Sequence, residues 1–124
     1  MKVVGEIVHG IGHFRQRMTK YEAVFTEAVG HRLEPGTLNV RIDRMLRCQE
    51  HFRIRGCLIG EPEQDLLFER CVVAGQPAYR IRPIQLSDGL GGHGDNVLEI
   101  ASEVRLRDLF RDNKVEIEFP HRTE

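Results

Sequence analysis

Three short segments of the sequence carry residue types suited to binding phosphates and a metal ion. The first is Gly10-Ile11-Gly12-His13, which follows an apolar stretch. Alternate glycines let backbone amides approach phosphate oxygens, since no Cβ stands in the way. A tight turn is the plainer explanation of the same glycines.

The second segment, Pro35-Gly36-Thr37-Leu38-Asn39-Val40, places two oxygen-bearing side chains two residues apart. On a strand, Thr37 and Asn39 point to the same face. Their oxygens could therefore hold one hard cation, with phosphates and water completing its shell. For an isolated pair of this kind, ordinary turn and strand hydrogen bonding is by far the commoner explanation.

The third segment is Leu98-Glu99-Ile100, followed a few residues later by Leu106-Arg107. Glu99 could orient a substrate hydroxyl and accept its proton, or it could be an outward strand residue paired with an arginine. Arg107 could contact a nucleotide or support a helix C-terminus through its charge. His93, in a stretch with four glycines between residues 87 and 95, could contact flavin or phosphate, or be incidental to such a loop.

Alternating apolar residues predict a mostly β protein that would position these segments. Strands are predicted at Lys2–His9, Thr37–Ile42, Phe52–Ile59, Leu66–Val73, Ala78–Ile84 and Val97–Ala101, with a last one through Val115, Ile117 and Phe119. Lys2–His9 is apolar on both faces, which indicates a buried strand. About six to seven strands in 124 residues predict an all-β fold with a closed barrel, because so short a chain cannot leave many sheet edges open.

Two short helices complete the predicted fold. The first spans Tyr21–Val29, with an apolar stripe, and the spacing of Thr19 and Glu22 suggests a capping box before it. Gly30 suits the position just after its C-terminus. The second runs from about Glu103 to Phe110, and its predicted inward residues are Leu106, Leu109 and Phe110.

Composition narrows the class of protein. The length suits a single domain, 1–124, and 18 basic against 19 acidic residues leave no global field to attract nucleic acid. No stretch approaches the roughly 20 apolar residues of a membrane span, and no signal peptide is evident, which favours a cytoplasmic protein. Three cysteines without CxxC spacing argue against a disulfide framework or a zinc site. A basic run, interpreted as a solvated face or a local anion site, comprises Arg41, Arg44, Arg47, Arg53 and Arg55.

The order and spacing of all these features resemble the archaeal CTP-dependent riboflavin kinases over nearly the whole chain. The resemblance implies a cradle-loop β-barrel, in which Thr37 and Asn39 match magnesium ligands and Glu99 matches a flavin-contacting carboxylate. The positions that match nucleotide-contacting segments are Gly10, Ile11, Gly12 and His13 in the glycine loop and Val104, Arg105, Leu106 and Arg107 further on.

This chain departs from the family pattern in its glycine loop. Phe14 stands near the place of a third alternating glycine, and the loop is about two residues shorter before the helix. His13 and Arg15 could replace the lost amides with side-chain cations, or they could simply face solvent. Arg111 to Lys114 replaces a typical Asp-Gly-Asp turn, and no threonine equivalent to a flavin contact lies among residues 91–94.

The resemblance implies transfer of the terminal phosphate of CTP to riboflavin, giving FMN and CDP, with Mg²⁺ as cofactor and Glu99 as the catalytic carboxylate. We expect riboflavin and CTP as small-molecule partners, no membrane partner and a monomer. A non-catalytic flavin- or nucleotide-binding barrel is the alternative that Phe14 favours. A nucleic-acid-binding regulator domain, suggested weakly by the basic run, is the third hypothesis.

Overall fold

The computed structural model describes residues 1–10, 13–87 and 95–123, and of His13 only the backbone. Its elements are β1 (Lys2–Val8), α1 (His13–Lys20), α2 (Glu22–Val29), β2 (Leu38–Arg41), β3 (Phe52–Ile54), β4 (Gln64–Val73), β5 (Gln76–Gln85), β6 (Val97–Ser102) and β7 (Lys114–Glu118). Short 3-10 helices occupy Gly56–Ile59 and Leu106–Leu109. Within the described ranges, no helix combines the length and apolar character needed to span a membrane.

The seven strands form one antiparallel sheet in the order β3-β4-β5-β6-β2-β1-β7. β7 also pairs with β4, through Val72↔Glu118 and Val73↔Ile117, so six strands close into a ring. β3 pairs with the other end of β4. The predicted closed, mostly β fold is confirmed.

Two local features help the ring to close. Ala74 and Gly75 both have positive φ, 51° and 74°, which suits the two-residue turn joining β4 and β5. On β1, a Cβ added to Gly5 would overlap the carbonyl oxygen of Arg41. Only glycine at this position therefore allows β1 to lie so close to its neighbour β2.

Apolar side chains form a core on each side of the sheet. The core inside the ring includes Val3, Ile7, Leu38, Val40, Leu98, Ile100, Val115, Ile117 and Phe119. The second core lies between the helices and the outer sheet face, and it includes Phe14, Met18, Phe25, Leu66, Phe68, Tyr79, Ile81 and Ala101. Cys71 is a buried core residue, as its apolar neighbours predict.

The helical region differs from the prediction. α1 was not predicted, and Thr19 lies inside it, where its hydroxyl donates to the carbonyl oxygen of Arg15 at 2.8 Å. Thr19 is therefore not a cap for α2, whose N-cap position is Tyr21 without a side-chain capping bond. The C-terminal prediction is confirmed, since Gly30 has φ 96° and its N–H bonds to Thr26.

Two predicted elements are shorter than expected. The strand at Phe52–Ile59 ends at Ile54, because Gly56 packs against the chain at Glu61 and Gln64 so closely that a Cβ would overlap their carbonyl oxygens. The predicted second helix is only the 3-10 helix Leu106–Leu109. Leu106 is buried as predicted, but Leu109 is 46% exposed.

The prediction that β1 is buried on both faces is also wrong. Val3 and Ile7 face the core inside the ring, whereas Val4 is 50% exposed on the opposite face. β1 has neighbours on both edges but no layer packed over Val4. Side chains of β1 therefore alternate between the core and solvent, as in an antiparallel strand with one buried face.

A charged network is buried among β4, β5 and the C-terminal residues. Glu69 and Arg80 are both fully buried, 4.0 Å apart. The carboxylate of Glu69 accepts hydrogen bonds from the Arg122 guanidinium at 2.6 Å and from the Gln49 amide at 3.0 Å. Burial alone would raise the pKa of Glu69, but the bonds from Arg122, Gln49 and His121 together bring it below its usual value.

Replacing Arg122 by Met should lower the free energy of unfolding by about 3–5 kcal/mol, because Glu69 would lose its main charged partner while staying buried. The lowered pKa of Glu69 means that its contribution is present above its usual pKa of 4.5 and is lost as the pH falls through its folded pKa. The difference in free energy of unfolding between the parent and Arg122→Met should therefore shrink in acid. Urea unfolding of both proteins from pH 3 to 8 measures this difference.

The exposed Arg111 provides a matched control. Arg111→Met removes the same charge without touching a buried group, and it should leave stability within about 0.5 kcal/mol of the parent. An Arg122→Met protein as stable as this control at pH 7 would show that the bonds from Arg122 to Glu69 do not stabilise the fold.

Candidate active site

The three chemically interesting segments meet at one cleft with a volume of about 310 Å³. It lies between the end of β1, the first turn of α1, the chain leading into β2 and the segment that follows β6. The predicted site residues that line it are Gly10, Thr37, Asn39, Val104, Arg105, Leu106 and Arg107. Sequence reasoning thus selected residues that are distant in the chain and adjacent in the fold.

The pairing of β2 explains this meeting. β2 lies between β1 and β6, with Val8 opposite Asn39 on one side and Glu99 opposite Asn39 on the other. Leu38 and Val40 point into the ring, and both are buried. Asn39 therefore points outward, beside the chain that leaves β1 and beside the carboxylate on β6.

Gly10 packs directly against the side chain of Asn39. A Cβ added to Gly10 would overlap the Asn39 amide nitrogen and lie 3.3 Å from its Oδ1. The absence of a side chain at Gly10 therefore leaves the room that Asn39 occupies. In this respect the glycine shapes the site through close packing, a role that a plain tight turn does not require.

The chemistry of Thr37 and Asn39 fits a hard cation. Both are half-buried in the cleft wall, and neither side chain has a hydrogen-bond partner within residues 1–10, 13–87 and 95–123. A hydroxyl and an amide oxygen are ligands that Mg²⁺ accepts when phosphates and water supply the rest. Within the same ranges, no cluster of three or more His, Cys, Asp or Glu residues offers a rival metal site.

Glu99 lies on the outer sheet face, one strand from Asn39, and does not itself line the cleft. Burial raises the pKa of its carboxyl group to about 7, against the opposing effect of the positive charges of Arg17 and Arg82. A carboxyl group with this pKa exchanges protons near neutral pH. The positive charges of Arg17 and Arg82 thus act on this carboxyl group, and its role as a proton acceptor stays a prediction.

Arg17 and Arg82 were not predicted as part of this region. Arg17 donates to Gln64 at 3.2 Å and stacks over the ring of Phe14, with 4.9 Å between the guanidinium carbon and the ring centroid. Arg82 donates to Asp95 at 3.0 Å. No sequence signal placed Arg17 near Glu99, because that proximity depends on α1, which the periodicity did not reveal.

The remaining predicted residues have varied positions. Ile11, Gly12 and His93 lie outside the described residues. His13 is the first residue of α1 and not part of an open loop. Arg105 forms an exposed ion pair with Asp108 at 3.7 Å, while Leu106 is mostly a core residue that also touches the cleft.

Two of the five arginines in the basic run between residues 41 and 55, Arg41 and Arg53, have acidic partners. The exposed guanidinium of Arg41 lies 4.0 Å from Glu6. Arg53 bonds to Glu50 at 2.6 Å and to Asp65 at 2.9 Å. These acidic partners favour the interpretation of the run as a solvated face.

The fold is a closed β sheet with a cleft lined by a closely packed glycine, the side-chain oxygens of Thr37 and Asn39, and arginines, a combination compatible with small molecules that carry phosphate groups. No family model matches the chain. Curated relatives do match. The riboflavin kinase of Staphylothermus marinus is 31% identical over 127 residues, which cover 93% of this chain and 88% of that protein.

Two further archaeal relatives agree with the first. The riboflavin kinase of Aeropyrum pernix is 31% identical, over 86% of this chain and 84% of its own length. That of Thermofilum pendens is 29% identical over 94% of this chain and 57% of its own length. The chain belongs to the riboflavin kinase family. The prediction of a kinase is thereby confirmed, while its donor nucleotide and its site residues stay predictions.

Replacing Glu99 by Gln should change how stability depends on pH. With a folded pKa of about 7 against a usual value of 4.5, the folded chain keeps a proton that the unfolded chain has lost between these pH values. The free energy of unfolding of the parent should therefore fall as the pH rises through this window, relative to Glu99→Gln. Chemical denaturation of metal-free protein at several pH values measures the difference.

The exposed Glu27 on α2 supplies the control, since Glu27→Gln removes a carboxylate that stays in solvent. The difference in free energy of unfolding between Glu27→Gln and the parent should be nearly constant from pH 5 to 8. A Glu99→Gln difference that is equally constant would show that the Glu99 carboxyl group is not protonated near neutral pH.

Proposed function

We propose that this chain transfers the terminal phosphate of CTP to riboflavin, giving FMN and CDP. One observation carries the proposal: the pairing of β2 places Asn39 between the Gly10 side of the cleft and Glu99. A donor held in the cleft and an acceptor at Glu99 would then be neighbours. Membership of the riboflavin kinase family supports this assignment of substrate.

The cleft supplies what phosphoryl transfer needs on the donor side. Such a reaction depends mainly on positioning and on neutralising negative charge, with little covalent work by protein groups. The backbone at Gly10 and the side chains of Arg105 and Arg107 would bind phosphate oxygens, since all three residues line the cleft. Thr37 and Asn39 would hold Mg²⁺, which supplies further charge neutralisation when it is bound.

Glu99 is the group that would act on the acceptor. The terminal ribityl hydroxyl oxygen of riboflavin forms a bond to the terminal phosphorus of CTP, and the bond from that phosphorus to the bridging oxygen breaks. CDP leaves with the bridging oxygen, and the hydroxyl proton passes to the Glu99 carboxylate. A pKa of about 7 suits a group that accepts a proton at neutral pH.

Phe14 favours the non-catalytic alternative less than its size suggests. Its side chain is only 5% exposed, because it packs into the core beneath the helices while touching the cleft floor. A cleft of about 310 Å³ remains beside it. The bulk of Phe14 is therefore mostly inside the fold and not in the space where the donor would lie.

The direct test of the proposal is FMN formation with each of the four nucleoside triphosphates. The protein is incubated with Mg²⁺, riboflavin and CTP, ATP, GTP or UTP, and the flavins are separated by chromatography. We expect FMN with CTP and little with the others. Preference for ATP would overturn the donor assignment alone, and binding of both substrates without FMN would favour the non-catalytic alternative.

Replacing Thr37 by Ala should lower metal-dependent FMN formation by at least about 100-fold, because one of the two proposed protein oxygens for the metal is lost. The exposed Thr123 provides the matched control, and Thr123→Ala should retain full activity. Initial rates are compared over a range of Mg²⁺ concentrations. A Thr37→Ala enzyme with the parent rate and the parent Mg²⁺ dependence would exclude Thr37 as a ligand.

A further inference from the structure

Arg15 lies on the first turns of α1 and lines the cleft, with an exposed side chain. Its Cβ lies 4.0 Å from the position a Cβ on Gly36 would take. One turn further along α1, the sulfur of Met18 accepts a hydrogen bond from the Gly36 amide at 3.3 Å. The bond between Gly36 and Met18 holds α1 against the turn that leads into Thr37, and the stem of Arg15 lies beside Gly36.

The guanidinium of Arg15 has no ion-pair or hydrogen-bond partner in the part of the chain that the structure describes. Among the described residues that line the cleft, the acidic one is Glu34, whose carboxylate lies 3.5 Å from the guanidinium of Arg32, which also binds Glu22 at 2.8 Å. Glu34 is therefore already engaged by another arginine. Arg15 brings an uncompensated positive charge to the cleft.

The same cleft is also lined by Arg105 and Arg107. Several cations along one cleft suit a ligand with several negative charges along its length better than one with a single charge. Guanidinium groups also match the geometry of phosphate oxygens with two parallel hydrogen bonds. A polyphosphate chain is the ligand chemistry that meets both conditions.

We propose that Arg15 is a donor-binding residue, whose guanidinium contacts the phosphate chain of the nucleotide from α1, in the cleft that Arg105 and Arg107 also line. The inference rests on the proposed function in placing the donor in this cleft. It goes further in assigning a specific side chain to the outer phosphates. The contribution of Arg15 should therefore grow with the number of phosphates.

The experiment measures binding by calorimetry in the presence of Mg²⁺, with inorganic tripolyphosphate, CTP, CDP and CMP as probes. Arg15→Gln should weaken tripolyphosphate and CTP binding about tenfold, as expected for one charged hydrogen bond, and should change CMP binding by less than about twofold. The affinities of Arg15→Lys for tripolyphosphate and CTP should fall between those of the parent and those of Arg15→Gln. The matched control is Arg44→Gln, since Arg44 is exposed and does not line the cleft.

In turnover, Arg15→Gln should raise the KM for CTP about tenfold and leave the KM for riboflavin unchanged. Unaltered tripolyphosphate binding in Arg15→Gln would overturn the inference. An equal loss of affinity for CMP and CTP would also overturn it, because such a loss indicates a distorted cleft. If Arg15→Gln does not fold, the charge-retaining Arg15→Lys replaces it in the test. An affinity of Arg15→Lys for tripolyphosphate equal to that of the parent would then overturn the inference.

The inference and the proposed function can fail separately. Parent protein that forms no FMN, yet binds tripolyphosphate in a manner that depends on Arg15, would refute the kinase assignment and retain the inference. If the parent protein forms FMN and Arg15→Gln binds tripolyphosphate as tightly as the parent, the kinase assignment is retained and the inference is refuted. Parent protein that binds no tripolyphosphate at all would refute the inference.

Discussion

The hydrogen-bonded register of β2 between β1 and β6 is the constraint on which the site depends. It sets Asn39 opposite Val8 on one strand and opposite Glu99 on the other. A slip of one residue would turn Asn39 into the ring and expose Leu38 and Val40. The burial of those two apolar side chains therefore fixes the direction of the polar groups, and the core stabilises the geometry of the cleft.

Charged groups serve two separate purposes in this fold. Glu69 and Arg80 are fully buried within a charged network. Arg122 donates to the Glu69 carboxylate, and this bond holds the C-terminal residues against β4. Glu99 is held differently, in a partly buried position with arginines that act on its charge without removing it from solvent. The first arrangement favours a carboxylate that stays ionised, and the second favours one that exchanges protons near neutral pH.

Much of the sheet followed from sequence, because alternation of apolar residues fixes both the strands and their faces. The meeting of Gly10, Thr37 and Asn39 at one cleft was implied by the resemblance to the archaeal CTP-dependent riboflavin kinases. α1 did not follow. Its only apolar residues are Phe14 and Met18, so the periodic signal is weak and the helix depends on tertiary contacts. The closure of β7 onto β4 and the 3-10 helix at 56–59 also depend on long-range contacts that no local pattern encodes.

The most direct test of the central claim uses Mn²⁺ as a paramagnetic substitute for Mg²⁺, with CTP, and follows the nuclear magnetic resonance signals of the protein. The side-chain amide of Asn39 and the backbone amide of Gly10 should broaden first, since both lie at the proposed metal position. Leu86, exposed and away from the cleft, should be unaffected. Strong broadening elsewhere, with Asn39 and Gly10 unchanged, would contradict the account.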